Sequence, residues 1–472
     1  MGAVLKDKYA DWEGFVMAHQ RRQSFEIDMC SGPILGKLLQ FAFPLMLSSM
    51  LQLLFNAADI VVVGRFAGDN SLAAVGSTAP IVHLLCNLFI GLSVGANILA
   101  SRFYGAGDRE GLRQTVHTAV LMSLISGAFL TVAGVLCTRS ILVWMQSPPE
   151  VIDLAALYLK IYFLGMPANM LYNFGAALLR AVGDTRRPLL FLFIAGIINV
   201  VLNLVFVIVF HMDVAGVALA TIISETVSAF LVVRCMMRES GAVHLELRQL
   251  KLWPIRVKQI LQTGLPAGLQ NIMFSLANVV IQSTINSFGP TIVAGNAAAE
   301  NIEAFVYAAS NACYQASLCF TSQNLGAGQL DRIPKILKRS QLCAGVACTT
   351  LGCLAYLFGA QLLGIYTDSP DVVAAGLSHM AIISVTYGIC GLMDATVGCL
   401  RGIGYSVLPM FTALIGICGL RLLLVTALFH FPRFHVIQTV FWAYPVSWTV
   451  TFIAHLTFFL ICFRRVKRHH ES

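Results

Sequence analysis

The sequence predicts an all-α membrane protein of twelve transmembrane helices, arranged as two six-helix bundles related by a pseudo-two-fold axis along the membrane normal. Three observations carry this. Of 472 residues, 57% are hydrophobic and 11% charged, with a mean hydropathy of +0.78, whereas a soluble domain carries about 25% charged residues. The apolar residues form continuous runs without the period-2 alternation of outer-membrane strands. Landmarks of the first half also return about 221 residues later in the second.

Runs long enough to cross a core of about 30 Å fall at 38–63, 76–101, 114–138, 152–179, 188–210 and 214–236. Six more follow at 258–288, 296–324, 337–364, 372–400, 407–430 and 437–463. Leu39-Gln40 and Pro44 reappear as Leu261-Gln262 and Pro266, and Gly105-Ala-Gly107 as Gly326-Ala-Gly328. Pro149, Arg180, Gly183 and Pro188 return as Pro370, Arg401, Gly404 and Pro409. An even number of spans per half gives both halves the same orientation, so the repeats are parallel and the site is expected between or within the bundles. The segments are 1–36, a cytoplasmic N-terminal stretch; 37–237, the first bundle; 238–257, a basic linker; 258–464, the second bundle; and 465–472, a basic tail. No apolar signal-peptide core precedes the first span, which is expected to act as its own insertion signal.

Charge sets the orientation. With both termini and the even-to-odd loops in the cytoplasm, 26 of 31 Lys and Arg lie on that side, including Arg21 and Arg22. Only Arg65, Arg139 and Arg433 lie outside, and Lys160 and Arg421 within spans. The net charge of +8 is therefore a topology signal, and no nucleic-acid partner is implied. The cysteines fall mostly inside apolar runs, without C-x-x-C pairs or zinc spacing, and read as small buried hydrophobes. Gly105-Ala-Gly-Asp-Arg-Glu-Gly111 lacks the dinucleotide spacing and a preceding strand, so it reads as a helix-ending turn. No cofactor and no resident metal are expected. Membrane enzymes cluster their acids or histidines at one face; here the intramembrane carboxylates are dispersed over four spans, and an enzyme acting on a lipid-linked substrate is set aside.

Ionisable residues inside a span are costly and mark function by default. Asp59 lies near the outer end of the first span. Asn199 and Asn203 share one face of the fifth, about 16 and 22 Å above its inner end. Thr221 lies about 10 Å below the outer surface in the sixth. These four residues can meet at one depth as a cation or proton site. Asn56, Asn169, Asn173, Glu225, Glu300, Glu303, Asp394 and Arg421 are the expected residues of a substrate path. Asn169 and Asn173 either line a cavity or tie helices. By depth Glu303 is expected to pair with Arg421, while Asp394 and Lys160 reach toward the membrane surfaces.

With Pro44, Asn56-Ala-Ala-Asp59-Ile-Val-Val-Val-Gly64, Ala74-Val-Gly76, the two Gly-Ala-Gly turns and Leu-Arg180-Ala-Val-Gly183, the chain resembles the multidrug and toxic compound extrusion (MATE) family, in its DinF-like bacterial branch. The resemblance covers about residues 30–465 and implies a multi-pass protein of the bacterial plasma membrane, a monomer. Such a transporter expels small organic, often cationic, compounds against an H⁺ or Na⁺ gradient by alternating access of two lobes. It implies a cation or proton site at Asp59, Asn199, Asn203 and Thr221, and a bending helix at Pro44. Two positions depart from the family pattern: a fifth-span site commonly Asp is Asn203, leaving one carboxylate, and Phe274 stands where the NorM-like branch has a glutamate. Residues 1–28 have no counterpart there, and Met29 reads as a start. The alternative is a flippase of lipid-linked oligosaccharides from the same superfamily.

Overall fold

A chain in lipid must satisfy its backbone internally, and this one does so with helices. The computed structural model describes residues 25–145, 148–239 and 241–471; Arg21, Arg22 and the reading of residues 1–24 lie outside the described residues. The first lobe comprises α1 (Ile34–Phe66), α2 (Asp69–Gly105), α3 (Arg109–Trp144) and α4 (Pro149–Leu164, continuing as Met166–Ala181). It is completed by α5 (Arg186–Leu204, with a π turn over Val205–Val209) and α6 (Asp213–Arg238). The second comprises α7 (Pro254–Asn286), α8 (Pro290–Gly326), α9 (Ile333–Leu357, then Gly359–Leu363) and α10 (Pro370–Gly402). Then come α11 (Val407–Ala413, a π turn over Leu414–Gly419, Leu420–Phe429) and α12 (Ile437–Glu471).

Among the described residues ten helices are individually long and apolar enough to span, and the two parts of α4, bent by 48°, make an eleventh. The bend falls at Gly165 and Pro167, where the proline lacks a backbone donor. The remaining span, α8, is 37 residues long but more polar. It buries Asn296, Glu303, Ser310, Gln323 and Asn324 against protein, where polar groups find partners that lipid does not offer.

Helix ends follow local chemistry. Prolines open α4, α7, α8 and α10 at positions where a missing N–H costs nothing. The Gly-Ala-Gly motifs end α2 and α8 as expected: Gly107 and Gly328 adopt φ of 68° and 69°. The Asp108 N–H donates to the Phe103 carbonyl at 3.0 Å, and Gln329 to Asn324 at 2.9 Å. The first glycine of each motif has a different task. A Cβ on Gly105 would lie 2.0 Å from the Gln323 carbonyl oxygen, and one on Gly326 2.0 Å from that of Arg102. Those partners are themselves repeat-related, so α2 and α8 cross on the pseudo-two-fold axis at the end that carries the termini.

The lobes interlock with their roles exchanged: α2 packs on α7, and α8 on α1. At the first seam Gly91 and Gly95 meet Gly268 and Gly264 backbone to backbone. The run Gly91-Leu-Ser-Val-Gly95 has the spacing of a hydrolase elbow, yet it is uninterrupted helix, with Ser93 bonded to the Ile90 carbonyl at 2.7 Å. At the second seam Phe41 meets Phe320 edge-on at 5.9 Å. Residues 25–33 then cross from one lobe to the other. Tyr104 of α2 donates to Glu26 at 3.0 Å, Ile27 lies over Gly183, and Met29 is fully buried. From the second lobe Asn324 donates to the Met29 carbonyl at 3.0 Å, and Arg332 to those of Ser31 and Gly32 at 3.3 and 3.2 Å.

Candidate functional site

Asp59 is carried by α1 to the heart of the first lobe, where α5 meets it. Asn203 donates from Nδ2 to Asp59 Oδ1 and, at 3.3 Å, to Asn199 Oδ1. Spacing of four residues puts both amides on one face of α5, and both are buried. Asn203 Oδ1 is buried with no donor among the described residues, so one neutral oxygen is free beside the carboxylate. The π turn begins two residues beyond Asn203, a widening frequent at functional positions.

Thr221 lines the same cavity, of about 140 Å³, although its hydroxyl donates to the Val217 carbonyl of its own helix at 3.0 Å. One turn further along α6, Glu225 lines it too. Asn169 of α4 donates to Glu225 Oε1 at 2.7 Å, and Asn173 supports Asn169 with bonds of 2.9 and 3.0 Å. Asn56 also lies on the wall. The expectation of a single carboxylate is thus corrected: the cavity holds Asp59 and Glu225, each gripped by an asparagine amide. Thr221 and Glu225 sit at i, i+4 on α6, so any geometry that brings in the first brings in the second. Asn169 and Asn173 both line the cavity and tie helices. Pro44 lies within unbroken α1, about four turns from Asp59; Ser48 Oγ donates to its carbonyl at 2.9 Å.

The second lobe holds a separate cavity of about 450 Å³, lined by Glu300, Glu303, Tyr307, His379 and Tyr444. Glu303 does not pair with Arg421. It accepts from Ser384 at 2.6 Å and lies 3.2 Å from His379 Nε2. His379 Nδ1 bonds to Asn296 Oδ1 at 2.7 Å, and Asn296 Nδ2 donates to Glu300 Oε1 at 3.0 Å. No carboxylate lies within 4 Å of the Arg421 guanidinium among the described residues. It stacks 3.8 Å from the centre of the Tyr444 ring and donates to Ser447 at 3.3 Å. Depth alone put Glu303 and Arg421 together; the face of α8 that carries Glu303 turns the acid to Ser384 and His379 of α10 instead. Asp394 likewise does not reach the membrane surface, because Ser310 of α8 donates to it at 2.8 Å inside the lobe.

Two functional candidates escaped the sequence. His379 is a lone histidine in an apolar run, with no motif to mark it. Arg401 was legible only as a repeat landmark, yet its guanidinium is buried and bonds Gln270 of α7 at 2.9 Å and Tyr314 of α8. Outside the spans, Asp184, Arg187 and Glu239 form a cluster near the α5 start, with Arg187 donating to Glu239 at 2.6 Å. Burial pushes the Asp184 carboxyl above its usual range against the pull of Arg187.

Known proteins bear on this arrangement. A probable multidrug resistance protein of Bacillus subtilis, YpnP, is 28% identical over 394 residues, covering 84% of this chain and 88% of that protein. An FAD transporter of Shewanella oneidensis is 25% identical over 405 residues, covering 84% and 88%. Among solved structures, an outward-facing multidrug resistance MATE transporter superimposes with a TM-score of 0.87 at 22% identity over 93% of this chain and 98% of that one. A MATE structure in the bent conformation gives 0.86 at 22% identity, over 92% and 97%. The MatE family profile matches twice, at residues 44–205 and 266–426. It opens each time on the helix proline that marks the repeat, Pro44 and Pro266, and so counts the same two lobes that the crossing glycines join: the chain belongs to the MatE family.

Proposed function

We propose that this protein is a secondary active antiporter of the bacterial plasma membrane, with both termini in the cytoplasm, that exports small organic compounds against an H⁺ or Na⁺ gradient. The observation that carries this reading is the first-lobe cavity with Asp59 and Glu225, each held by one asparagine. Two carboxylates in so small a cavity inside a membrane-spanning lobe are costly to keep charged without a counter-charge, so the cavity has an affinity for protons or a hard monovalent cation. Asn199, Asn203 and Thr221 supply neutral oxygens of the kind such a cation prefers. Neutralisation and release then change the electrostatics beside α1, and Pro44 offers a place for that helix to bend.

Alternating access is supported by where the lobes touch. The glycine crossings and the strap of residues 25–33 close the end that carries the termini, so export requires these contacts to open and reform. Names of relatives support small organic substrates, and nothing here favours a lipid-linked oligosaccharide. The test is efflux from proteoliposomes with Na⁺ and pH gradients imposed separately. Wild type is expected to respond to one of them, and Asp59→Asn to bind drug while losing gradient-driven export. Full gradient-driven export by Asp59→Asn would remove the central residue of the mechanism.

A further inference from the structure

An open groove of about 1110 Å³ does not belong to either lobe's polar cavity. It lies between α9 and α10 on the outer face of the second lobe. Its walls are mostly apolar, with Leu342 and Val346 exposed on one side and Ile389 and Leu392 half-buried on the other. Glycines deepen it: a Cβ on Gly388 would come within 2.1 Å of Thr349 Oγ1, and one on Gly345 within 3.2 Å of Leu392. At the end nearest the termini stand Lys335, Lys338 and Arg339, all exposed. None of the three has an ion pair among the described residues, and the nearby Asp331 is engaged by Lys467 at 3.3 Å.

The repeat makes this face informative. The first-lobe counterparts of Lys335, Lys338 and Arg339 are Gln114, His117 and Thr118, and the chain covers them. The linker donates from Glu246 N to His117 at 3.2 Å and from Trp253 N to Thr118 at 3.3 Å, and Arg256 bonds Gln114 at 3.1 Å. In the second lobe α12 instead runs on as one continuous helix to Glu471. The same face is left bare, and it has become cationic.

We propose that this groove binds one anionic phospholipid of the cytoplasmic leaflet, with its phosphate at Lys335, Lys338 and Arg339 and an acyl chain along Gly345, Val346 and Ile389. From Lys335 to Thr350 the groove runs about 22 Å by helical rise, room for a headgroup contact and a chain crossing half of a core about 30 Å thick. Unpaired Lys and Arg at the membrane surface on the positive-inside side attract anionic headgroups, each by about 1 kcal/mol, or about fivefold. A lipid seated there bridges α9 and α10 from outside.

The test uses the full chain in detergent, titrated with phosphatidylglycerol or phosphatidylcholine, reading thermal stability and the lipid retained in native mass spectrometry. Phosphatidylglycerol is expected to stabilise wild type and phosphatidylcholine not. Lys335→Gln/Lys338→Gln/Arg339→Gln should lose retention by about a hundredfold, the product of three such factors. Lys335→Arg/Lys338→Arg should keep it. Val346→Trp, which fills the groove and leaves the charges, should also lose it. Equal effects of the two lipids, or an unchanged preference in the triple variant, would overturn the proposal. So would an equal shift from soluble glycerol phosphate, which would make this a phosphate site, or a dimer that the triple variant splits, which would make it a contact between copies. All of these readouts are independent of transport, so failure of the antiport reading leaves them interpretable.

Discussion

At the scale of single residues, the first lobe depends on amides placed opposite acids. Asn203 and Asn169 each aim a donor at one carboxylate, and the two acids share a cavity. If both carry coupling charge, Glu225→Gln should lower the number of cations exchanged per substrate and weaken export without abolishing it, in contrast to Asp59→Asn. Charge movement per drug molecule in proteoliposomes measures this. Unchanged stoichiometry would leave Glu225 to the substrate. Arg421 makes a prediction about stability. Its planar guanidinium lies over Tyr444 in a desolvated place, an arrangement worth about 2 kcal/mol, and Lys cannot reproduce the stacking. Arg421→Lys should therefore melt several degrees lower, nearly as far as Arg421→Ala, by fluorescence-detected unfolding. A Lys variant as stable as wild type would show that charge alone suffices.

Among the elements, the strap of residues 25–33 has the clearest pH signature. Burial raises the Glu26 carboxyl above its ordinary 4.5, opposed by the hydrogen bond from Tyr104. The docked segment thus binds a proton more readily than the free one. Docking should strengthen as pH falls through the raised value and gain nothing further below 4.5. Raising the pH through the same window should loosen it. Hydrogen exchange of the backbone amides of residues 26–32, corrected for intrinsic rates, should show this in wild type and a flat profile in Glu26→Gln. The opposite slope would mean that the charged carboxylate is the one that holds the strap.

For the whole molecule, the two lobes must part and rejoin. Asn97 of α2 and Cys319 of α8 meet where the lobes cross, with Cys319 Sγ 3.1 Å from Asn97 Oδ1. Asn97→Cys places a second thiol opposite a native one. Oxidation by a membrane-permeant reagent should lock the lobes, stop efflux and allow recovery with reductant, while Asn97→Cys/Cys319→Ser should be indifferent to oxidant. Transport that continues with the crosslink formed would mean the lobes need not separate at this end.

Hydropathy, charge asymmetry and the 221-residue echo determined the spans, their number and the parallel repeat, because lipid imposes those patterns on any chain that crosses it. Asp59, Asn199 and Asn203 were also legible, since depth and helical phase agree for them. Depth without phase misled elsewhere. Glu303 and Arg421 share a level, but only the packing of α8 on α10 decided that the acid faces His379 and Ser384. Glu225 was legible too, since it stands one turn from Thr221 on the same face of α6; what only the fold decided is that Asn169 of α4 grips it. The bare cationic groove on α9 and α10 was likewise invisible, because its existence rests on what the linker covers in one lobe and nothing covers in the other. The pattern along one helix reports which residues lipid tolerates; which helix faces which is set by close contacts between distant segments, and those exist only in the folded molecule.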